Sequence, residues 1–275
     1  YYMKNKLSNI KKAIKYLNKN QCIGIPTETV YGLAANAYSS IATAKIFKLK
    51  KRPQKNPLIV HYYDLKLLKK DCEVNNHFLK LYRKYSPGPI SYILKLKQDS
   101  LISKNVTNKK STLAVRFPNH PITRNLLKKL DYPLAAPSAN ISTKISPVSK
   151  KDVQDEFGKK ISLILDGGSS KIGVESTIIN LINKPQILRL GGIPKKEINR
   201  YLKLNIRFNN RSKIKSPGQG KTHYSPYIKL RLNIKNANKN EAFILIKKRK
   251  KISKNYFYLS KKNNLKEAAK NLYKT

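Results

Sequence analysis

Three hydroxyl groups, a carboxylate and a glycine fall within one short segment near the beginning of the chain, Pro26–Leu33, which reads Pro-Thr-Glu-Thr-Val-Tyr-Gly-Leu. The apolar run before it, Cys22–Ile25, predicts a β-strand that ends at the proline. Loops at the strand ends of α/β sheets commonly form ligand sites. The composition therefore predicts a polar ligand site after the first strand, with a helix N-cap and turn as the alternative.

Cations in restrained or apolar segments form the second group of candidates. Lys50 and Arg52 close a predicted helix, where cations also stabilise the helix dipole. Pro53 fixes the backbone after them, which suits a pair that holds a phosphate. Arg116 and Arg189 each lie in an apolar run, where an unpaired guanidinium is costly to bury. We therefore expect an anion beside Arg116, supplied by the protein or by a ligand.

Short polar motifs end two further apolar runs. Ser138 and Asn140 stand two residues apart, which places both side chains on one side of an extended chain. Gly173–Thr177 supplies Ser176 directly before a strand-like run. Each motif alone is equally typical of an Asx or Ser turn. Together, strand ends that each supply a hydroxyl, an amide or an arginine predict a site for a substrate that carries an anion and an amine.

Several enzyme classes lack their motifs in this chain. The sequence has no G-x-G-x-x-G, no G-x-x-x-x-G-K-[ST], no Ser-His-Asp arrangement and no paired carboxylates, which disfavours a Rossmann dehydrogenase, a P-loop NTPase and a glycosidase. Its 2 cysteines and 4 histidines show no zinc-ligand spacing. With 14 acidic residues there is no obvious cage for a divalent cation, so no metal ligands are predicted and Mg²⁺ is expected to arrive on substrate phosphates.

The chain is strongly basic, with 59 Lys and Arg against 14 Asp and Glu and a formal net charge of +45. Such a field attracts RNA, anionic lipid or phosphorylated substrates. Heavy joint use of Lys, Asn, Ile and Tyr is also typical of an AT-rich coding sequence, with lysines scattered over solvated faces. No apolar run approaches the ~20 residues of a membrane span and no signal peptide is visible, so we expect a cytoplasmic protein without membrane contact.

The elements that must position these residues alternate between helix and strand, which predicts an α/β sheet with helices packed on it. Apolar residues at helical spacing predict helices over 7–17, 40–50, 78–85, 122–130 and 149–157. Short apolar runs predict strands over 22–25, 58–60, 90–96, 113–117, 161–165, 177–182 and 187–190.

The C-terminal quarter has a different organisation. Pro194 is the expected first residue of a helix that runs through Leu202, and the polar stretch 209–221 is typical of a linker. Beyond it, strands are predicted over 242–246 and 256–259 and a helix over 265–273. The basic run Lys247–Lys251 between the two strands is interpreted as a solvated hairpin turn.

The order of these motifs resembles that of the threonylcarbamoyl-AMP synthases, the YrdC family in its longer two-domain form. The motifs are Pro26–Leu33, Lys50-x-Arg52, Asn56–His61, Ser86–Pro89, Arg116, Ser138-x-Asn140, Gly173–Thr177, and a linker with Ser216-Pro-Gly and His223-Tyr-Ser-Pro. The resemblance implies a twisted open α/β sheet with a concave basic site over residues 7–206. An active-site linker over 207–228 and a small α/β C-terminal domain over 229–275, without its final third, would follow.

The family's activity is that of a nucleotidyltransferase. The resemblance implies that the protein converts L-threonine, bicarbonate and ATP into L-threonylcarbamoyl-adenylate and pyrophosphate, with Mg²⁺ carried on the ATP phosphates. This is the first step of threonylcarbamoyladenosine formation in tRNA that reads codons starting with A. A downstream threonylcarbamoyl transferase complex is the implied partner, together with weak binding of tRNA or other RNA.

The resemblance also implies roles for individual residues. The threonine-binding residues would be Thr29, His61, Arg116 and Ser176, with Arg116 on the carboxylate. The ATP-binding residues would be Arg52, Asn56, Thr112, Ser138, Asn140, Ser146, Arg189 and Tyr224, the last closing over the nucleotide from the linker. The catalytic cations near the phosphates would be Lys50 and Arg52.

The chain departs from the family pattern at three positions, because Lys51, Ala35 and Thr143 stand where glycine is usual. Two other readings remain open at this point. One is an RNA-binding or ribosome-maturation module that uses the basic cavity as an electrostatic platform. The other is a carbamoyl-transfer relative that uses the same fold on carbamoyl phosphate.

Overall fold

The structure is a computed structural model that describes residues 2–208, 228–247 and 253–275. A large mixed sheet forms its body, with strand order β1-β2-β6-β3-β5-β4-β7-β8-β9. In chain order these strands are β1 (Ile23–Ile25), β2 (Gly32–Asn36), β3 (Ile59–His61), β4 (Ile90–Lys95), β5 (Thr112–Arg116), β6 (Leu134–Ala135), β7 (Thr177–Asn180), β8 (Gln186–Arg189) and β9 (Arg207–Phe208).

The helices of the described ranges are α1 (Tyr2–Asn18), α2 (Ser40–Lys50), α3 (Leu65–Asp71), α4 (Asn76–Tyr85), α5 (Lys104–Thr107), α6 (Pro121–Lys128), α7 (Lys150–Phe157), α8 (Lys195–Leu202) and α9 (Leu265–Asn271). Side-chain oxygens cap several of them: Ser39 accepts from the amide of Ala42, and Ser149 forms a capping box with Asp152. None of these helices is long and apolar enough to cross a membrane.

Alternate residues of the central strands pack on opposite faces of the sheet, as the two-residue period of a strand requires. Val60 and Val115 belong to the main core, whereas Ile59 and Ala114 belong to a smaller cluster. A further core packs α1 and α6 against β1, with Leu17 completely buried. The central strands are therefore covered on both faces, which fixes the positions of their ends.

Most of the expected elements are confirmed, and two expectations near the sheet are wrong. Residues 161–165 form no strand, because only the isolated bridge between Gly24 and Ile164 pairs them with the sheet. Pro194 is the N-cap of α8, not its first residue. The structure adds β2, which reads Gly-Leu-Ala-Ala-Asn and lacks the β-branched residues that mark a strand.

The C-terminal residues form a separate small sheet of β10 (Phe243–Lys247) and β11 (Tyr256–Ser260), on which α9 packs. The two strands are parallel, with Phe243 opposite Tyr256. The basic run over 247–251, expected as a hairpin turn, lies outside the described residues except for Lys247. The parallel pairing of the strands on either side of it contradicts a hairpin, which joins only antiparallel strands.

Candidate functional site

One cavity collects polar side chains from the carboxyl ends of β3 and β5, the beginnings of β2 and β7, and the end of β8. Sequence reasoning named seven of the residues that line it: Thr29, Arg52, His61, Arg116, Ser138, Ser176 and Arg189. Their positions in the chain span 160 residues, so only the sheet brings them together. Ligand sites at strand ends are typical of open α/β sheets.

The loop between β1 and β2 forms one wall and is held by its own hydroxyl groups. Thr27 Oγ1 donates to the carbonyl of Val30 at 2.6 Å and lies 2.9 Å from Thr29 Oγ1. The backbone amide of Ile172 donates to the carbonyl of Glu28 at 2.8 Å, and the amide of Gly173 donates to that of Thr29 at 3.1 Å. The loop that contains Ile172 and Gly173 thus fixes the loop between β1 and β2, so the side chains of Thr27 and Thr29 have defined positions.

The anion expected beside Arg116 belongs to the protein. Arg116 Nη2 lies 2.8 Å from Glu28 Oε1, and both side chains are buried. The other carboxylate oxygen, Oε2, accepts from the amide of Asn119 at 2.9 Å. Arg116 Nε is buried with no hydrogen-bond partner among the residues described. The arginine therefore retains a donor for a ligand although its charge is already paired.

His61 stands beside Arg116 because β3 and β5 are parallel and pair these two residues in register. Burial, together with the positive charge of Arg116, lowers the pKa of His61 well below its usual value. The imidazole is therefore neutral at pH 7. Its Nδ1 atom is buried without a partner in the described part of the chain. Arg116 and His61 thus each line the cavity and each carry a buried polar atom without a partner among the described residues. Because buried polar groups are usually hydrogen-bonded, these two residues are candidates for ligand contact.

Arg52 and Arg189 form a second positive region of the cavity. Arg52 donates to the carbonyls of Asn56 and Pro57 at 3.0 and 2.9 Å, and Arg189 donates to the carbonyl and hydroxyl oxygens of Ser176 at 3.0 and 3.1 Å. Burial, with the charge of Arg189, lowers the pKa of Arg52 to about 9. Among the described residues neither arginine forms an ion pair with a carboxylate. An anion bound between them would relieve their repulsion.

Lys50 does not line the cavity. Its ammonium is almost fully buried and donates to the carbonyl oxygens of Ser138 and Asn140, with Asn140 Oδ1 at 3.4 Å. Desolvation, together with the charge of Arg52, lowers the pKa of Lys50 well below its usual value. In this arrangement Lys50 fixes the Ser138-x-Asn140 backbone, and only Ser138 of that motif lines the cavity.

Glu175 lines the same cavity and was not among the predicted site residues. Its Oε1 atom accepts from Ser146 Oγ at 2.5 Å, and its Oε2 atom accepts from Tyr273 Oη at 3.1 Å. Ser146 is therefore connected to the cavity through Glu175 without lining it. Glu28 was also missed as a site residue, although it stands in the Pro26–Leu33 motif.

Four predicted ATP-binding residues of the described ranges lie outside the cavity lining: Asn56, Thr112, Asn140 and Ser146. Asn56 contributes its backbone carbonyl to Arg52, and its Oδ1 atom is buried with no partner among the described residues. Thr112 lies at the opposite end of β5 from Arg116, roughly 13 Å along the strand at ~3.3 Å per residue. Tyr224 lies outside the described residues, as does most of the expected linker over 207–228.

The described residues contain no group of three or more His, Cys, Asp or Glu side chains that could hold a metal ion. Glu28 and Glu175, the acidic residues of the site, are both engaged by hydrogen-bond donors of the protein. Mg²⁺ carried on substrate phosphates stays a prediction.

The fold and the cavity define a mixed α/β protein with a cavity at its strand ends that is lined by three arginines, Arg52, Arg116 and Arg189. The chain belongs to the Sua5/YciO/YrdC family: the family profile, which is described as telomere recombination, matches residues 15–191. A second profile, described as the C-terminal domain of threonylcarbamoyl-AMP synthase, matches residues 193–275. The family and the fold expected from the sequence are thereby confirmed.

Relatives with curated names agree with this assignment. The threonylcarbamoyl-AMP synthase of Pyrococcus abyssi is 38% identical over 226 residues, which are 79% of this chain and 65% of that protein. The threonylcarbamoyl-AMP synthase of Bacillus subtilis is 39% identical over 224 residues, 79% of this chain and 64% of the relative. The chain thus spans just under two thirds of these relatives.

A solved structure extends the similarity to both parts of the fold. The crystal structure of Pyrococcus abyssi Sua5 complexed with L-threonine has a TM-score of 0.87 and 34% sequence identity to this chain. The match covers 96% of this chain and 83% of that one. It therefore includes the small C-terminal sheet as well as the large one.

Proposed function

We propose that this protein joins L-threonine, bicarbonate and ATP into L-threonylcarbamoyl-adenylate and releases pyrophosphate. The observation that carries the proposal is that two groups of cavity residues, Arg116 with His61 and Arg52 with Arg189, each suit an anionic ligand. One group has Nε of Arg116 and Nδ1 of His61, neither of which has a hydrogen-bond partner among the residues that the structure describes. The other has Arg52 and Arg189, which repel each other and have no carboxylate partner in the described ranges. An amino acid carboxylate and a nucleotide phosphate match these two groups.

The reaction needs positioning and charge neutralisation more than covalent chemistry. The threonine amine forms an N–C bond to the carbon of bicarbonate, and water leaves. An oxygen of the resulting carbamate attacks the α-phosphorus of ATP, the bond from that phosphorus to the bridging oxygen breaks, and pyrophosphate leaves. Holding the two anions in contact supplies much of the rate. The absence of a Ser-His-Asp arrangement from the sequence is consistent with this direct transfer.

In this proposal the threonine carboxylate binds Arg116 Nε, and neutral His61 holds the amino acid together with Thr29 and Ser176. The region of Arg52 and Arg189 takes the phosphates of ATP. Ser138 is assigned to the nucleotide in this proposal, and Lys50 holds it by donating to its backbone carbonyl. Lys50 is therefore a positioning residue here, and the direct phosphate contact expected from the resemblance is not part of the proposal.

Mg²⁺, bound to the ATP phosphates as part of the substrate, would neutralise the charge that develops on the departing pyrophosphate. The adenylate would pass to a downstream threonylcarbamoyl transferase that modifies tRNA. The names of the relatives support this reaction rather than the RNA-binding or ribosome-maturation alternative. The nucleotidyltransferase assignment rests on the resemblance together with these names.

The test is pyrophosphate release with threonine, bicarbonate, ATP and Mg²⁺ each omitted in turn, with the adenylate identified by mass. We expect release only from the complete mixture, and serine in place of threonine serves as the matched control for the methyl group. Pyrophosphate release that does not depend on threonine or on bicarbonate would contradict the proposal.

A further inference from the structure

A carboxylate at the wall of the cavity is held by a residue from the last turn of the described chain. Glu175 Oε2 accepts a hydrogen bond from Tyr273 Oη at 3.1 Å, across 98 positions of sequence. Its other oxygen accepts from Ser146 Oγ. Each oxygen thus has its own donor, one from the loop before α7 and one from beyond α9, and the plane of the carboxylate is fixed.

The contact belongs to a close approach of two backbones. Gly173 has φ +76°, and a Cβ atom at this position would lie 2.5 Å from the carbonyl oxygen of Lys270 in α9. Only glycine fits such an approach at a positive φ. The amide of Gly173 also donates to the carbonyl of Thr29. The loop that contains Gly173 therefore contacts α9 on one side and the loop between β1 and β2 on the other.

The position of Tyr273 is in turn set by the small C-terminal sheet. Asn271 Nδ2 donates to the carbonyl of Leu259 in β11 at 2.8 Å. Ser260 Oγ donates to Glu267 at 2.6 Å, and Asn264 caps the beginning of α9. The helix is therefore fastened to its sheet at both ends, and the tyrosine that follows it reaches Glu175 from a rigid base.

We infer that Tyr273 is a positioning residue of the cavity: it holds the Glu175 carboxylate so that this negative charge does not compete with substrate phosphates for Arg52 and Arg189. The physical reason is electrostatic. Glu175 lines the cavity that contains both arginines. A carboxylate free to rotate there is attracted to these guanidinium groups, which have no acidic partner among the described residues. The C-terminal sheet and α9 thus complete a substrate site that lies in the large sheet.

The inference rests on the proposed function for its kinetic readout. Tyr273→Phe removes the hydroxyl and keeps the ring, and we expect the KM for ATP to rise about tenfold, the effect of one hydrogen bond to a charged group. We expect kcat to stay within about twofold, because the change concerns phosphate binding and not the chemical step. In a Glu175→Gln background the same substitution should have no further effect, since the competing charge is gone.

Tyr258→Phe is the matched control. This tyrosine lies in β11, and its hydroxyl is buried with no hydrogen-bond partner among the described residues. The same chemical change there should leave the KM for ATP unchanged. An equal rise in both variants, an unchanged KM in Tyr273→Phe, or equal losses with and without Glu175→Gln would each overturn the inference.

A second measurement separates this inference from the proposed function. Hydrogen exchange at the amides of residues 172–176 should accelerate in Tyr273→Phe and not in Tyr258→Phe, whether or not the wild type releases pyrophosphate. Absence of threonine-dependent pyrophosphate release with accelerated exchange would refute the proposed reaction alone. Unchanged exchange would refute the positioning role alone.

Discussion

Removal of the Arg116 guanidinium is expected to affect stability and threonine binding separately, because the ion pair with Glu28 gives Arg116 two roles. Arg116→Ala leaves the Glu28 carboxylate buried, and the amide of Asn119 is then its one donor in the described part of the chain. Breaking one side of a buried pair costs about 3–5 kcal/mol in the free energy of unfolding. Separately, loss of the charge-assisted contact to the threonine carboxylate should weaken threonine binding by about 2–4 kcal/mol, which raises Kd about 30- to 900-fold.

Adding Glu28→Gln to Arg116→Ala distinguishes the two effects. The double variant no longer buries an unpaired charge, so most of the lost stability should return in urea unfolding, while threonine binding measured by calorimetry should stay weak. Glu28→Gln alone keeps Arg116 and should bind threonine within about tenfold of the wild type. If the double variant regained both stability and threonine affinity, Arg116 would be a structural residue and the assignment of the threonine region would be wrong.

Three further predictions follow from the site and from the backbone. Arg52→Lys keeps the charge but lacks the planar fork that binds two oxygens at once, so the KM for ATP should rise about tenfold or more while threonine binding stays unchanged; an unaltered KM would leave Arg52 with a structural role only. The pKa of His61 is lowered in the folded protein, so below about pH 6.5 the unfolded chain binds more protons than the folded protein does. The free energy of unfolding should therefore fall as the pH drops below about 6.5, by up to about 1.4 kcal/mol per pH unit. His61→Gln should flatten that slope in urea unfolding at several pH values, and an unchanged slope would assign it to other groups. Lys51 and Thr143 have φ values of 47° and 80°, so Lys51→Gly and Thr143→Gly should each raise the free energy of unfolding by roughly 0.5–1 kcal/mol. Lys48→Gly inside α2 should instead lower it by about 1 kcal/mol. Thermal unfolding that ranks the three variants otherwise would contradict this interpretation of the backbone.

Local patterns in the sequence were sufficient to predict the elements that are marked by a capping residue and by apolar residues at regular spacing. The bounds predicted for α2 agree with the structure, because Ser39 caps its beginning and apolar residues recur at helical spacing. β2 was missed because glycine and alanine residues carry no strand propensity, and its partners β1 and β6 are what make it a strand. The direction of β11 relative to β10 could not be read from either run, since alternation within a strand is the same for both directions.

The same distinction applies to the site. Arg116 and Arg189 could be found because a cation inside an apolar run is unusual in itself. Their partners could not be assigned, because Glu28 lies 88 positions from Arg116 and Tyr273 lies 98 positions from Glu175. The resemblance indicated that Lys51 and Thr143 stand where the family usually has glycine. Only the structure shows that both residues have a left-handed backbone conformation.

The strand order also determines when the cavity can form during synthesis of the chain. β6 lies between β2 and β3, so the facing edges of these two early strands stay without a neighbour until residues 134–135 have been made. Unpaired edges of this kind are sites of misassembly and of chaperone binding. Because Arg189 from β8 completes the cavity lining, no nascent chain that ends before it contains the site. Pairing over such sequence distances is slow to nucleate, so substrate binding should be among the last properties that the folding chain acquires.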